Sequence, residues 1–188
     1  MGYRSRAAFK LIELDERFRF LKPGQCVVDL GAAPGGWTQV AVRRVEAERG
    51  KGRVVGVDVT PVEPISGALL IEQDFLTDAA PTALRQALGG AADVVLSDMA
   101  APATGHAGTD HRRIMALAEA AYAFAREVLA PGGAFVTKLF QGGSEKALLD
   151  ALRRDFTSVR HAKPPSSRTE SAEVYLVALG FRGSPTAA

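Results

Sequence analysis

Four apolar runs end on or beside a charged residue: QCVVDLG at Asp29, GRVVGVDV at Asp58, ADVVLSDM at Asp98 and AFVTKLF at Lys138. Runs this continuous lack the polar alternation of a strand with one wet face, so both faces are covered. Segments of helical length separate them: GGWTQVAVRRVEAERG, PTALRQALGG with proline at its start, and HRRIMALAEAAYAFAREVLAPGG. A shorter strand, ALLIEQDF, follows the turn-rich TPVEPISG, and the helix SEKALLDALRRDF precedes TSVRHAKP and EVYLVALGF. Alternation of this kind predicts an α/β domain, a mostly parallel sheet with helices on both faces. No helix separates the last two strands, which predicts an antiparallel edge.

The 188 residues carry 23 Lys and Arg against 21 Asp and Glu. That length suits one domain, placed at 1–181, with a basic N-terminal helix over 1–22 and a flexible tail over 182–188. In that helix Ala7, Leu11, Leu14, Phe18 and Leu21 form one stripe by helical spacing, with Lys10 at its flank. No run reaches the length of a membrane span and no secretory signal is visible. Cys26 lies alone in an apolar run and reads as a small core residue, so no metal site is expected. Cations crowd the first helix (Arg4, Arg6, Lys10, Arg17, Arg19, Lys22) and the last third (Arg153, Arg154, Arg160, Lys163, Arg168). Brought together, the two clusters would track a phosphate backbone; kept apart, they are a solvated surface.

Ligands of open α/β sheets bind beyond the carboxyl ends of the strands. Asp29 and Gly31, Asp58, Asp74, Asp98 and Lys138 all fall at those ends, which predicts a single polar cleft. DLGAAPGGW is a strand, a glycine-rich turn and a helix start, a backbone that approaches a ligand closely and offers it free N–H groups. Its glycines, Gly31, Gly35 and Gly36, do not follow the dinucleotide spacing. Asp58 is placed to accept from two ribose hydroxyls and Asp74 from an adenine amine, or else Asp74 caps the next turn. Those features describe S-adenosylmethionine as well as NAD. Lys138 must snorkel, pair with a carboxylate, or stay half-buried because its chemistry is used.

The stretches RSRAAFKL, VVDLGAAPGGW, VLSDMAAP, GGAFVTKLFQG and SSRTESAEVYLVALGF, in that order from Tyr3 to Phe181, resemble the RrmJ/FtsJ family of ribosomal RNA 2′-O-ribose methyltransferases. The resemblance implies a Rossmann-like S-adenosylmethionine methyltransferase fold with seven strands. It implies a catalytic tetrad at Lys10, Asp98, Lys138 and Glu173, and cofactor contacts at Gly35, Trp37, Asp58, Asp74 and Asp98. The chain departs from the family pattern in three places. It lacks a basic extension before GYRSRAAFKL and so looks shortened. VEAERGKG is longer than usual, which should extend a helix end, and SDMAAPATG carries an extra alanine or displaced proline beside the cleft.

Methyl transfer to a ribose hydroxyl needs in-line alignment and removal of one proton. A free lysine has a pKa of about 10.4, so a base at that position must be brought toward neutrality by burial or a second ammonium. Lys138 is the expected base, positioned by Asp98, with Lys10 and Glu173 holding the ribose. Single-stranded or loop RNA is the expected substrate, with Arg4, Arg6, Lys163 and Arg168 on its phosphates; the resemblance implies a uridine in the aminoacyl-tRNA-binding loop of large-subunit ribosomal RNA. Trp37 reads as a packing or cofactor-side residue rather than a base-stacking one. His106, His111 and His161 read as surface residues, and APATGHAGTD as a flap or a solvated connection. The competing readings are a nicotinamide-dependent oxidoreductase, a non-catalytic RNA-binding module, and the same chemistry on transfer RNA or an mRNA cap. A monomer that meets the large ribosomal subunit without membrane or metal is expected. The expected location is a bacterial-type cytoplasm, or a mitochondrial matrix if a leading segment has been removed.

Overall fold

The computed structural model describes residues 2–142 and 145–184; of the expected tail, residues 185–188 lie outside the described residues. The elements are α1 (Ala7–Phe18), β1 (Cys26–Leu30), α2 (Gly36–Val45), β2 (Arg53–Asp58), β3 (Ala68–Glu72), α3 (Ala79–Leu88), β4 (Ala92–Ser97), α4 (Ala107–Val128), β5 (Leu129–Phe140), α5 (Lys146–Asp155), β6 (Phe156–Ala162) and β7 (Glu173–Phe181). They build one seven-stranded sheet in the order β3-β2-β1-β4-β5-β7-β6. The pairings from β3 through β5 are parallel. The antiparallel strand is β7, inserted between β5 and β6, one position in from the edge. Strand order reverses at β1, with β2 on one side and β4 on the other, so the crevice for a ligand lies beyond their carboxyl ends.

Neighbouring residues of one strand feed two cores. Val28, Val55, Val95 and Phe135 pack with α3, α4 and α5, while Val27, Val54, Val94 and Val136 pack with α1 and α2. This is why the runs read as unbroken hydrophobics: alternate side chains go to opposite faces and both faces are dry. On α1 the buried face is Ala8, Leu11, Leu14 and Asp15, a rotation from the expected stripe that leaves Ala7 and Phe18 half-buried. Asp15 closes the helix end by accepting from Leu21 N at 2.8 Å and pairing with Arg44 at 3.4 Å.

Two boundaries differ from the sequence reading. The long VEAERGKG connection does not lengthen α2: the helix stops at Val45, Glu46 turns left-handed (φ 57°), and a 3-10 turn runs over Ala47–Arg49. Helix α4 begins at Ala107, earlier than expected, because His106 caps it and its Nδ1 accepts from Thr109 N at 3.2 Å. The last four of the ten residues of the expected flap are therefore helix.

Helix α1 is fastened to the glycine turn after β1. Trp37 Nε1 donates to Ala7 O at 2.8 Å, and the Arg4 guanidinium donates to Pro34 O, Glu63 O and Pro64 O at 3.3, 2.6 and 2.8 Å. Gly36 lets the two segments meet, since a methyl group there would overlap Ser5 Oγ and press on Ala8. Gly36→Ala should lower stability by about 1 kcal/mol, because Ser5 must rotate away and the Ala8 contact tightens. Gly90→Ala, which points into open space, is the control. Thermal unfolding of both variants checks this, and equal melting temperatures would show that the contact is slack.

Candidate active site

Beyond β1 and β4 lies a cleft of about 270 Å³ lined by Gly31, Ala33, Asp58, Phe75, Asp98 and Met99 among others. Gly31 has φ +82°, and a methyl there would press on the Met99 backbone and side chain, so only glycine leaves this corner open. Asp58 accepts from Ala33 N at 2.8 Å and Thr60 N at 2.9 Å. A carboxylate has about four acceptor directions, so two remain for a ligand. Asp74 is exposed at the rim, where one oxygen caps the following turn through Leu76 N at 2.9 Å; its neighbours Gln73 and Phe75 form the wall itself. Gly35, Gly36 and the Trp37 ring do not line the cleft. The indole is buried, 5.6 Å from the Tyr175 ring between centroids, which answers the sequence question in favour of packing.

Asp29, expected at the cleft, is wholly buried beneath it. Its Oδ2 accepts from Thr38 Oγ1 at 2.7 Å, and its Oδ1 has no partner among the described residues. Burial, only partly opposed by the Thr38 hydrogen bond, pushes its pKa up to about 7.

The four residues expected from the motifs converge, although they come from α1, the end of β4, β5 and β7. Lys10 Nζ lies 2.6 Å from Glu173 Oε1, and Lys138 Nζ lies 3.4 Å from Asp98 Oδ1 and 3.3 Å from Asp98 O. Lys138 does not snorkel: it is 9% exposed, and it pairs. Sequence reading missed the residue that joins the two pairs. The Tyr175 hydroxyl lies 2.7 Å from Asp98 Oδ1 and 3.2 Å from Glu173 Oε1. It has one proton to give, and Asp98 is the nearer acceptor. The signal was present, because residues two apart in a strand share a face and Glu173 and Tyr175 are so spaced.

Antiparallel register sets Tyr175 opposite Lys138 and Glu173 opposite Phe140. Burial raises the Asp98 pKa, against the opposing pull of Lys138 and the Tyr175 hydrogen bond. Burial acts on Glu173 in the same sense, but the hydrogen bond and charge of Lys10 outweigh it and hold that carboxyl below its usual range. Burial and the two carboxylates push the Tyr175 pKa well up, so the phenol remains a donor.

A second hollow, of about 320 Å³, opens on the other side of Glu173 and is lined by Arg6, Lys10, Ser166, Arg168 and Ser171. Arg6 and Arg168 are exposed there, and among the described residues neither is in an ion pair. The other two expected phosphate contacts are engaged by backbone carbonyls. Arg4 holds the three carbonyls named above, and Lys163 Nζ donates to Ser171 O at 2.6 Å and Glu173 O at 3.0 Å, bracing the loop that carries Glu173. His161 sits 2.7 Å from Glu145 Oε1, away from the tetrad residues. Among the described residues no group of His, Cys, Asp and Glu could hold a metal ion, and no helix is long and apolar enough to cross a membrane.

A mostly parallel sheet reversing at β1, a glycine turn after it, an acid closing β2 and a cleft between β1 and β4 define a Rossmann-like methyltransferase. The chain belongs to the FtsJ-like methyltransferase family, whose model matches residues 3–181. It is 66% identical over 186 residues to the ribosomal RNA large subunit methyltransferase E of Paramagnetospirillum magneticum, covering 98% of this chain and 76% of that one. The protein of that name from Rhodospirillum rubrum is 62% identical over 97% of this chain and 70% of its own length. A crystal structure described as a ribosomal RNA methyltransferase from Plasmodium falciparum superimposes with a TM-score of 0.85 at 31% identity, over 96% of this chain and 100% of that one.

Two expectations follow from this geometry. Asp29 has a folded-state pKa of about 7 against an ordinary value of 3.8, so between those pH values the folded chain keeps a proton that the unfolded chain has released. Its contribution to stability is therefore complete below about pH 4 and is lost as pH rises to about 7. Asp29→Asn stays neutral throughout, so the melting temperature of the variant relative to wild type should rise across that window; a constant difference would refute the assignment. Tyr175→Phe removes the only phenol on Asp98 and should cost about 1–3 kcal/mol of stability. It should also slow catalysis more than it weakens cofactor binding, which thermal unfolding and single-turnover kinetics together would show.

Proposed function

We propose that this chain transfers a methyl group from S-adenosylmethionine to a ribose 2′-hydroxyl of large-subunit ribosomal RNA, at a uridine of the loop that receives aminoacyl-tRNA. The observation that carries the reading is the position of Asp98, which lines the β1–β4 cleft and also touches Lys138 and Tyr175. Cofactor cleft and charged array thus share one residue. The relatives named ribosomal RNA large subunit methyltransferase E supply the substrate class.

The cleft suits the cofactor by its donor set. Asp58 keeps two acceptor directions for ribose hydroxyls, and Val57, Phe75 and Leu117 give apolar wall for a flat ring; Asp74, between the wall residues Gln73 and Phe75, is the proposed acceptor for an exocyclic amine. When bound, S-adenosylmethionine supplies a methyl group already activated as a sulfonium.

The chain's own residues then have two tasks. Lys138 takes the proton of the 2′-hydroxyl, and Asp98 fixes the direction of its amine, itself fixed by Tyr175. Lys10 and Glu173, drawn together at 2.6 Å, hold the acceptor ribose and balance charge as the oxygen becomes negative. Arg6 and Arg168 take the phosphates on either side, where RNA exposes its splayed nucleotide.

Lys138→Arg keeps the positive charge but cannot release a proton near neutrality. Methyl transfer to large-subunit RNA should fall by roughly 10²–10⁴-fold, with cofactor and RNA affinities close to wild type. Substantial retained transfer would remove Lys138 as the base, and mapping of ribose methylation in RNA from a deletion strain identifies the nucleotide.

A further inference from the structure

Helix α1 turns Ala8, Leu11 and Leu14 into the core and leaves Phe9 facing outward, 47% exposed. An exposed phenylalanine needs no explanation by itself. This one is not alone. Its ring meets Tyr3 edge-on, with centroids 5.7 Å apart and planes at 79°, and the Arg43 guanidinium lies 4.8 Å from the centre of the Tyr3 ring. Arg43 also donates to the Tyr3 hydroxyl at 2.9 Å, which fixes that ring. Phe9 is thus held in place by a ring that is itself clamped, while nearly half of its own surface stays bare.

Its surroundings are cationic and adjoin the acceptor site. On a helix, residues three and four apart are neighbours, so Phe9 lies between Arg6 and Glu13. Arg6 lines the hollow beside Glu173, and Glu13 fastens the loop that carries Arg168, accepting from Ser166 N and Oγ at 2.9 and 2.8 Å. Lys10, the next residue, is in the charged array. A flat apolar face one helix turn from the Arg6 guanidinium, on a helix that also fastens the loop of Arg168, matches one ligand chemistry: an unstacked nucleobase whose phosphates are held beside it.

We propose that Phe9, supported by Tyr3 and Arg43, is a stacking platform for a base flanking the acceptor nucleotide. The acceptor ribose then lies at Lys10 and Glu173, the linking phosphates at Arg6 and Arg168, and the neighbouring base on the Phe9 ring. This rests on the reading of the chain as an RNA methyltransferase, but it concerns binding and is tested separately.

The test uses a single-stranded RNA with the acceptor sequence and 2-aminopurine at each flanking position in turn, titrated with the full chain in the presence of cofactor. Stacking on Phe9 quenches the probe at one flanking position. Phe9→Ala should abolish that quenching and weaken RNA binding by about 5–100-fold. Phe9→Trp should retain both, and Phe9→Leu should behave like Phe9→Ala. The loss should appear in KM for RNA more than in kcat, with unchanged cofactor affinity and melting temperature. Because no charge is removed, the salt dependence of binding should keep its slope in Phe9→Ala and flatten in Arg6→Gln.

Unaltered RNA affinity in Phe9→Ala, or full rescue by leucine, would overturn the platform. So would a wild-type dimer that Phe9→Ala converts to a monomer, since that would assign the face to a second copy of the chain. Methylation without dependence on Phe9 sinks this inference alone. Phe9-dependent binding without methylation upholds it and sinks the proposed reaction.

Discussion

Lys138 stands in the last part of β5, residues 135–140, otherwise built from Phe, Val, Thr and Leu, and the end of the sheet is arranged around it. An ammonium taken from water must find opposite charge or give up its own. A parallel neighbour to β5 would require a long crossover connection, whereas β7 returns antiparallel and sets Tyr175 directly across from Lys138. Asp98, at the end of β4 on the other side of β5, supplies the carboxylate. The one strand that breaks the parallel pattern is therefore the one that completes the site.

The array depends equally on α1, which reaches the sheet from far away in sequence. Its docking uses the glycine turn that also forms a corner of the cofactor cleft. Arg4 reaches across to the Pro34, Glu63 and Pro64 carbonyls, Trp37 holds the Ala7 carbonyl, and Gly36 makes room for Ser5. The turn thus has two sides: Gly31 faces the cleft, and Gly35 and Gly36 face α1. A distortion of the turn would move α1, and Lys10 with it, as well as the corner of the cleft at Gly31.

Much of this was legible in the residues. Val27 and Val28, or Val94 and Val95, announced a sheet covered on both faces, and the acids closing successive runs announced the cleft. The tetrad residues were legible only through their motif contexts, since nothing in the spacing of Lys10 and Glu173 says that they meet. What sequence reading misplaced has a common physical cause. Arg4 and Lys163 looked like phosphate contacts because they are cations in a basic region; in the fold their partners are backbone carbonyls, which every residue possesses and which leave no trace in sequence. Glu46, a good helix former, stops α2 because its left-handed backbone lets the chain reverse toward β2. Tyr175 was overlooked because tyrosine in an apolar strand is commonplace, and only its offset of two from Glu173 distinguishes it.

The two lysine–carboxylate pairs are unequal. Lys10 and Glu173 meet at 2.6 Å, within charge-assisted hydrogen-bond distance. Lys138 stands 3.4 Å from Asp98 Oδ1, beyond the range of a good N–H···O bond, and that same oxygen takes the Tyr175 hydroxyl at 2.7 Å. Tyr175 therefore does more than fill space between the carboxylates: it shares an oxygen of Asp98 with Lys138 and also lies 3.2 Å from Glu173 Oε1, so the two pairs form one connected array rather than two separate bridges.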